Sequence, residues 1–126
     1  MRQNQCMETV GLHHVSVNVP DLDGALEFYT KILGLPQRSD RPDFGFGGAW
    51  LDAGSQQVHL IEGRAPADLG QHLALGVADM VAAISELRGA GVTVTDPIPV
   101  ASGHQAFLHD PCGNMIELYQ DGQLKT

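Results

Sequence analysis

One spacing constrains this sequence more than any other feature. Adding 58 to His14 gives His72, to Asp21 gives Asp79, to Asp52 gives Asp110, and to His59 gives Glu117. A single offset therefore aligns a strand start, a helix cap, a turn and a second strand. A period of this length, keeping its signals in order, marks two copies of one supersecondary unit. A chain of 126 residues holds one compact domain, or two small half-domains sharing a core. The expectation is one domain over 1–126, with modules at about 11–62 and 71–119.

Each copy reads in the same order. Residues 11–19 alternate as a strand, with Leu12, His14, Ser16 and Asn18 on one face and His13, Val15, Val17 and Val19 on the other. Pro20 ends it. Asp21 is an N-cap, followed at helical spacing by Leu22, Ala25, Leu26, Tyr29, Ile32 and Leu33, and Gly34 stops the helix. Residues 37–48 form a Gly-, Pro- and Asp-rich connection, and short strands follow at 49–52 and 57–62. After a polar linker the order restarts. A strand spans 71–77, and Asp79 caps a helix that buries Met80, Ala83, Ile84 and Leu87. Residues 92–95 are β-prone, 96–102 read as loop, and a hairpin joins 105–109 to 115–119 through the turn at 110–114. The fold class is α+β, built from two βαβββ units.

Composition excludes several functions. The net charge is −8, from 7 Lys+Arg against 15 Asp+Glu, which disfavours a nucleic-acid partner. No apolar run approaches the roughly 18–20 residues that span a bilayer, so no membrane partner is expected. The first ten residues are polar, without a hydrophobic signal core. The two cysteines, Cys6 and Cys112, lack metal or redox spacing, and a reducing cytoplasm is the expected location.

The repeat also pairs the unusual residues. Each half places a histidine on its first strand (His14, His72) and a histidine or carboxylate on its last (His59, Glu117). Alternation sets each of them opposite its Val, Ile and Leu neighbours. Glu117, flanked by apolar residues in mid-strand, is costly to bury unless a cation meets it. A single strand histidine is most often a hydrogen-bonded core or surface residue. As a set, three imidazoles and one carboxylate suit a divalent first-row ion such as Zn, Ni, Co, Fe or Mn. Such an ion would also supply the charge that Glu117 needs. His13 reads as structural on the opposite face. His104 and His109 receive no ligand role, and Cys112 has no activating base nearby in sequence. Phe44, Phe46, Trp50, Phe107 and Tyr119 are candidates to line a pocket.

Several segments together resemble the vicinal oxygen chelate superfamily, which contains glyoxalase I, extradiol dioxygenases, fosfomycin-resistance transferases and bleomycin-resistance binding proteins. They are Leu12-His13-His14-Val15, Pro20-Asp21-Leu22, Phe28-Tyr29, Leu33-Gly34-Leu35, His59-Leu60-Ile61-Glu62, His72-Leu73-Ala74-Leu75 and Asp110-Pro111 through Gly113 to Leu118. The resemblance implies a glyoxalase-like fold of paired βαβββ modules and a homodimer. It implies metal ligands at His14, His59, His72 and Glu117, with Glu117 also a catalytic base. It implies a small-molecule substrate that chelates the ion through adjacent oxygens. Two positions depart from glyoxalase I, which carries glutamate where this chain has His59 and arginine where it has Asn18. The function expected is therefore a glyoxalase-like metal-dependent lyase or isomerase. The alternatives are an extradiol-type ring-cleaving dioxygenase and a non-catalytic small-molecule or drug-binding protein.

Overall fold

The computed structural model describes residues 7–125. The first part of the expected N-terminal arm, including Cys6, lies outside the described residues. Two sheets and two helices make an α+β fold. In chain order the elements are β1 (His14–Val19), α1 (Leu22–Glu27), β2 (Gly48–Ala53), β3 (Gln56–Glu62), β4 (His72–Gly76), α2 (Met80–Gly89), β5 (Ile98–Val100), β6 (Gly103–His109) and β7 (Met115–Asp121). The first sheet runs β1-β3-β2 and the second β4-β7-β6-β5.

Both helices begin as their caps dictate. Asp21 accepts from the Gly24 amide at 3.1 Å and Asp79 from the Ala82 amide at 3.1 Å, which satisfies a donor that the first helical turn leaves unpaired. α1 continues into a π-helical turn at Phe28–Ile32. That turn carries Phe28 and Tyr29 into a core shared with Leu51, Leu60, Met80, Ile84, Leu108 and Ile116.

The offset of 58 reappears as strand register. β1 pairs parallel with β3, setting Ser16 opposite His59. β4 pairs parallel with β7, setting Ala74 opposite Glu117. His14 and His72 each stand two residues before those partners, so they share their faces. Each histidine is thus brought to the last strand of its own half.

The structure corrects the reading of the sequence in three places. β1 starts at His14 rather than at residue 11. In the first half, the strand that would make a βαβββ unit complete is reduced to an isolated bridge between Gln37 and Leu51. There the run 36–38 meets β2 through the Arg38 amide to Trp50 O, the Asp52 amide to Pro36 O and the Arg38–Asp52 ion pair at 2.9 Å, before the Gly- and Pro-rich connection leaves the sheet. In the second half, the short strand is Ile98–Val100 and not 92–95. The Thr95 amide still donates to the Phe107 carbonyl at 3.0 Å, but the Phe107 amide goes to Thr95 Oγ1 at 2.9 Å where a strand carbonyl would otherwise accept, so the contact at residue 95 is not extended into a strand over 92–95. Pro99 is tolerated because β5 is an edge strand.

The two halves are joined by a buried contact. The Tyr29 hydroxyl donates to Asp110 Oδ2 at 2.7 Å. Asp110 heads the turn before β7, where Gly113 adopts φ +90°, a conformation only glycine takes without strain. Its carboxylate also accepts from the Cys112 and Asn114 amides and from the Asn114 side chain. Asn114 in turn donates to the Asn18 carbonyl at 3.0 Å, tying β1 to the turn that starts β7.

Candidate functional site

The four candidate ligands come together as two pairs, one on each sheet. His14 and His59 stack with ring centroids 4.0 Å apart and planes at 14°. His72 Nε2 lies 2.9 Å from Glu117 Oε1. Among the described residues, no group of three or more His, Cys, Asp or Glu side chains is arranged to hold one ion. The repeat therefore places two equivalent candidate half-sites in one chain rather than a single four-residue cluster.

The first half-site is built on the central strand of its sheet. His59 is 7% exposed and lies between His14 on β1 and Trp50 on β2, whose ring stacks on it at 4.5 Å. Its Nε2–H donates to Gln57 Oε1 at 2.8 Å. That bond puts the proton on Nε2 and leaves the Nδ1 lone pair for a ligand. Burial holds the His59 imidazole below the usual histidine range, and positive charge on His14, His13, Arg38 and Arg41 lowers it further. A neutral imidazole is the form that coordinates metal. Gln57 was not visible as a site residue in the sequence. The signal available was its position two residues before His59, on the same strand face.

The second half-site carries a more decisive geometry. The Nδ1–H of His72 donates to the Gly70 carbonyl at 2.8 Å, so Nε2 is the nitrogen turned to the Glu117 carboxylate. Glu117 is 13% exposed at its side chain. Two acceptors, a carbonyl and a carboxylate, thus face both ring nitrogens. A doubly protonated ring donates to both acceptors, and a neutral ring with its proton on Nδ1 would leave the Nε2 lone pair free for a cation shared with the carboxylate. The Gly70 carbonyl and then Glu117 raise the His72 pKa above the ordinary histidine value. The donor chemistry fits a divalent ion: an imidazole fixed by a backbone acceptor on its far side, opposite a largely buried carboxylate.

The other candidates fall as follows. His13 precedes β1, its carbonyl accepts from the Gln57 amide of β3 at 3.1 Å, and its Nδ1 lies 2.9 Å from His14 Nδ1. It therefore borders the first half-site. His104 contacts the Gly122 carbonyl at 3.1 Å and His109 pairs with Asp68 at 2.9 Å, so both are spent on structure. Cys112 is a free, half-buried thiol. Phe107 meets His72 edge-on at 5.5 Å. Phe44, Phe46 and Trp50 line a cleft of about 300 Å³ with His14, His59 and Arg41. A second cleft, of about 290 Å³, runs between β1 and β4 and is lined by Ser16, Asn18, Tyr29, His72 and Asn114. No helix among the described residues is long and apolar enough to cross a membrane.

Comparison with known proteins agrees with this architecture. A family model described as the Glyoxalase/Bleomycin resistance protein/Dioxygenase superfamily matches residues 11–118. A Vibrio cholerae protein named "Probable lactoylglutathione lyase" is 36% identical over 124 residues, covering 87% of this chain and 90% of the relative. Among solved structures, the antibiotic binding protein TnmS3 from Streptomyces sp. CB03234 superposes with a TM-score of 0.78 at 25% identity, covering 93% of this chain and 100% of that one. Lactoylglutathione lyase from Agrobacterium tumefaciens superposes with a TM-score of 0.72 at 18% identity, covering 90% and 96%, a likeness of fold.

Proposed function

The chain belongs to the Glyoxalase/Bleomycin resistance protein/Dioxygenase superfamily, and from that premise we propose that it is a metal-dependent, glyoxalase-like lyase or isomerase. Its substrate is a small metabolite that offers two adjacent oxygens to the ion. The observation that carries the reading is the His72–Glu117 pair, in which a backbone carbonyl fixes one ring nitrogen and the other faces a largely buried carboxylate at 2.9 Å. The lactoylglutathione lyase name of the relative that shares 36% of its residues supports the same class of chemistry.

His14, His59, His72 and Glu117 would hold the ion. Because one chain offers these as two pairs, two copies assemble the set, the first half-site of one facing the second half-site of the other. Leu12, 69% exposed beside β1, is apolar surface that such a dimer covers. When bound, the metal supplies positive charge to the two substrate oxygens as negative charge develops on them. Glu117 would take the proton from the hydroxyl-bearing carbon beside the carbonyl and return it to the former carbonyl carbon, while the hydroxyl proton passes to the former carbonyl oxygen. With His59 in place of a carboxylate, Glu117 is the proton acceptor of the set. Trp50 and Phe107 flank the two half-sites and keep bulk water from them. A cytoplasmic location goes with the reading, supported by the free Cys112 thiol.

The test is elemental analysis and sedimentation of the gently purified protein, with α-oxoaldehyde hemithioacetals as substrates. The expected result is about one equivalent of Zn, Ni, Co or Mn per chain, twice the 13.5 kDa chain mass, and turnover. Glu117→Gln should keep the fold, weaken metal binding by at least about 100-fold and abolish turnover. Iron with oxygen uptake on catechols would replace this reading by the dioxygenase one. Absence of any divalent ion after reconstitution, with small-molecule binding that survives a chelator, would refute it in favour of a binding protein.

A further inference from the structure

The connection between α1 and β2 does more than span a gap. It lays Phe44 and Phe46 against each other, ring centroids 5.6 Å apart, and leaves both about half exposed (50% and 51%). Phe44 reaches Trp50 at 6.1 Å, and Trp50 stacks on His59. A row of rings therefore leads from the first half-site out to the loop. At its outer end the Arg41 guanidinium sits 5.1 Å above Phe44 and 5.5 Å above Phe46.

Two observations make Arg41 available to a ligand. Arg38, its neighbour, is neutralised by Asp40 and Asp52 at 2.8 and 2.9 Å. Arg41 forms no ion pair among the described residues. Its one hydrogen bond goes from Nη2 to the Phe46 carbonyl at 3.0 Å, which leaves the rest of the fork unspent. The backbone makes room for this arrangement: a Cβ at Gly48 would lie 2.8 Å from Arg41 Nη2 and 2.5 Å from the Leu60 carbonyl. A planar cation held over aromatic rings, with donors to spare, is the arrangement that grips a carboxylate in bidentate fashion. The half-exposed rings beside it receive a flat apolar group.

We propose that the cleft of Arg41, Phe44, Phe46, Trp50 and His59 is a specificity subsite for an aromatic carboxylate, with the ring against Phe44 and Trp50 and the carboxylate on Arg41. It deepens the metal-enzyme reading by naming the substrate class and rests on that reading only for which end of the ligand reaches the metal. In a chain of net charge −8, long-range attraction does not draw an anion in, so selectivity depends on this local contact.

The experiment reads binding in chelator-treated protein, which separates the subsite from the metal centre. Trp50 is the only tryptophan in the sequence, so its emission reports this cleft. The probes are 3-phenylpropionate, its uncharged counterpart 3-phenylpropanol, and propionate, which has the anion without the ring. The expected result is saturable quenching by 3-phenylpropionate, with the other two weaker by roughly tenfold or more. Arg41→Ala should bring 3-phenylpropionate down to the level of 3-phenylpropanol and leave 3-phenylpropanol unchanged. Arg41→Lys should recover part of the loss, since it keeps the charge but not the planar fork. Equal binding of the acid and the alcohol by the wild type, or unchanged selectivity in Arg41→Ala, would overturn the proposal. Loss of metal binding with this selectivity intact would overturn the metal reading alone.

Discussion

Replacing Tyr29 by Phe tests the joint between the two halves of the molecule. The Tyr29 ring is fully buried, and its hydroxyl donates to Asp110 Oδ2 at 2.7 Å. Phe keeps the ring and removes only the hydroxyl. Asp110 retains three other donors, the amides of Cys112 and Asn114 and the Asn114 side chain. The carboxylate is therefore not left bare, and the cost is that of one hydrogen bond to a charged acceptor, near the low end of its range at about 1.5–2 kcal/mol. An unfolding entropy of roughly 2.1 cal/mol/K per residue gives about 0.26 kcal/mol/K for 126 residues. The midpoint should then fall by about 6–8 °C. The assay is thermal and urea unfolding at one fixed protein concentration, because association adds stability by mass action. The urea slope should not change, since the same surface is exposed on unfolding. A fall of less than about 2 °C with an unchanged slope would refute the argument that this bond joins the halves.

Three further outcomes follow from the site. Gln57→Leu removes the acceptor that fixes the His59 tautomer and should weaken metal binding by about 10–100-fold with little change in fold; calorimetric titration of the apo-protein measures this, and unchanged affinity would remove His59 Nδ1 from the ligand set. In chelator-treated protein, the His72 pKa is raised by the Gly70 carbonyl and then by Glu117, so its contribution to stability is complete below about pH 6.5 and is lost as pH climbs through the raised value. The midpoint of wild type minus that of Glu117→Gln should therefore be positive in acid and shrink in alkali, and a difference flat with pH would contradict the pair. His59 has the opposite sign, since its pKa is lowered: its contribution is complete above about pH 6.5 and is lost as pH falls through the lowered value, which a His59→Gln comparison over the same range measures.

The candidate site residues stood out for a specific reason. A histidine or carboxylate on a strand otherwise built of Val, Ile and Leu stands out, and the offset of 58 put four of them in register. The structure returns that register as Ser16 opposite His59 and Ala74 opposite Glu117. What surrounds them was not legible. Gln57 and the Gly70 carbonyl set which ring nitrogen carries a proton, and neither a strand-edge glutamine nor a backbone carbonyl announces that in sequence. Arg41 gave no signal, because a loop arginine acquires meaning only from the rings it lies over. The contact of His13 with His14 was not legible, because the two rings meet only where β1 begins.

The sequence by itself determined the local elements: helix starts at Asp21 and Asp79, the glycine turn at 110–114, and the strand faces that carry the candidate ligands. These depend on neighbours in the chain, on caps, on φ and on alternation. Only the tertiary structure decided that each half pairs its first strand with its last in parallel, that Tyr29 reaches across to Asp110, and that the four candidate ligands form two pairs instead of one cluster. Those outcomes depend on which surfaces bury one another, and residues 45 positions apart, as His72 and Glu117 are, leave no local trace of meeting.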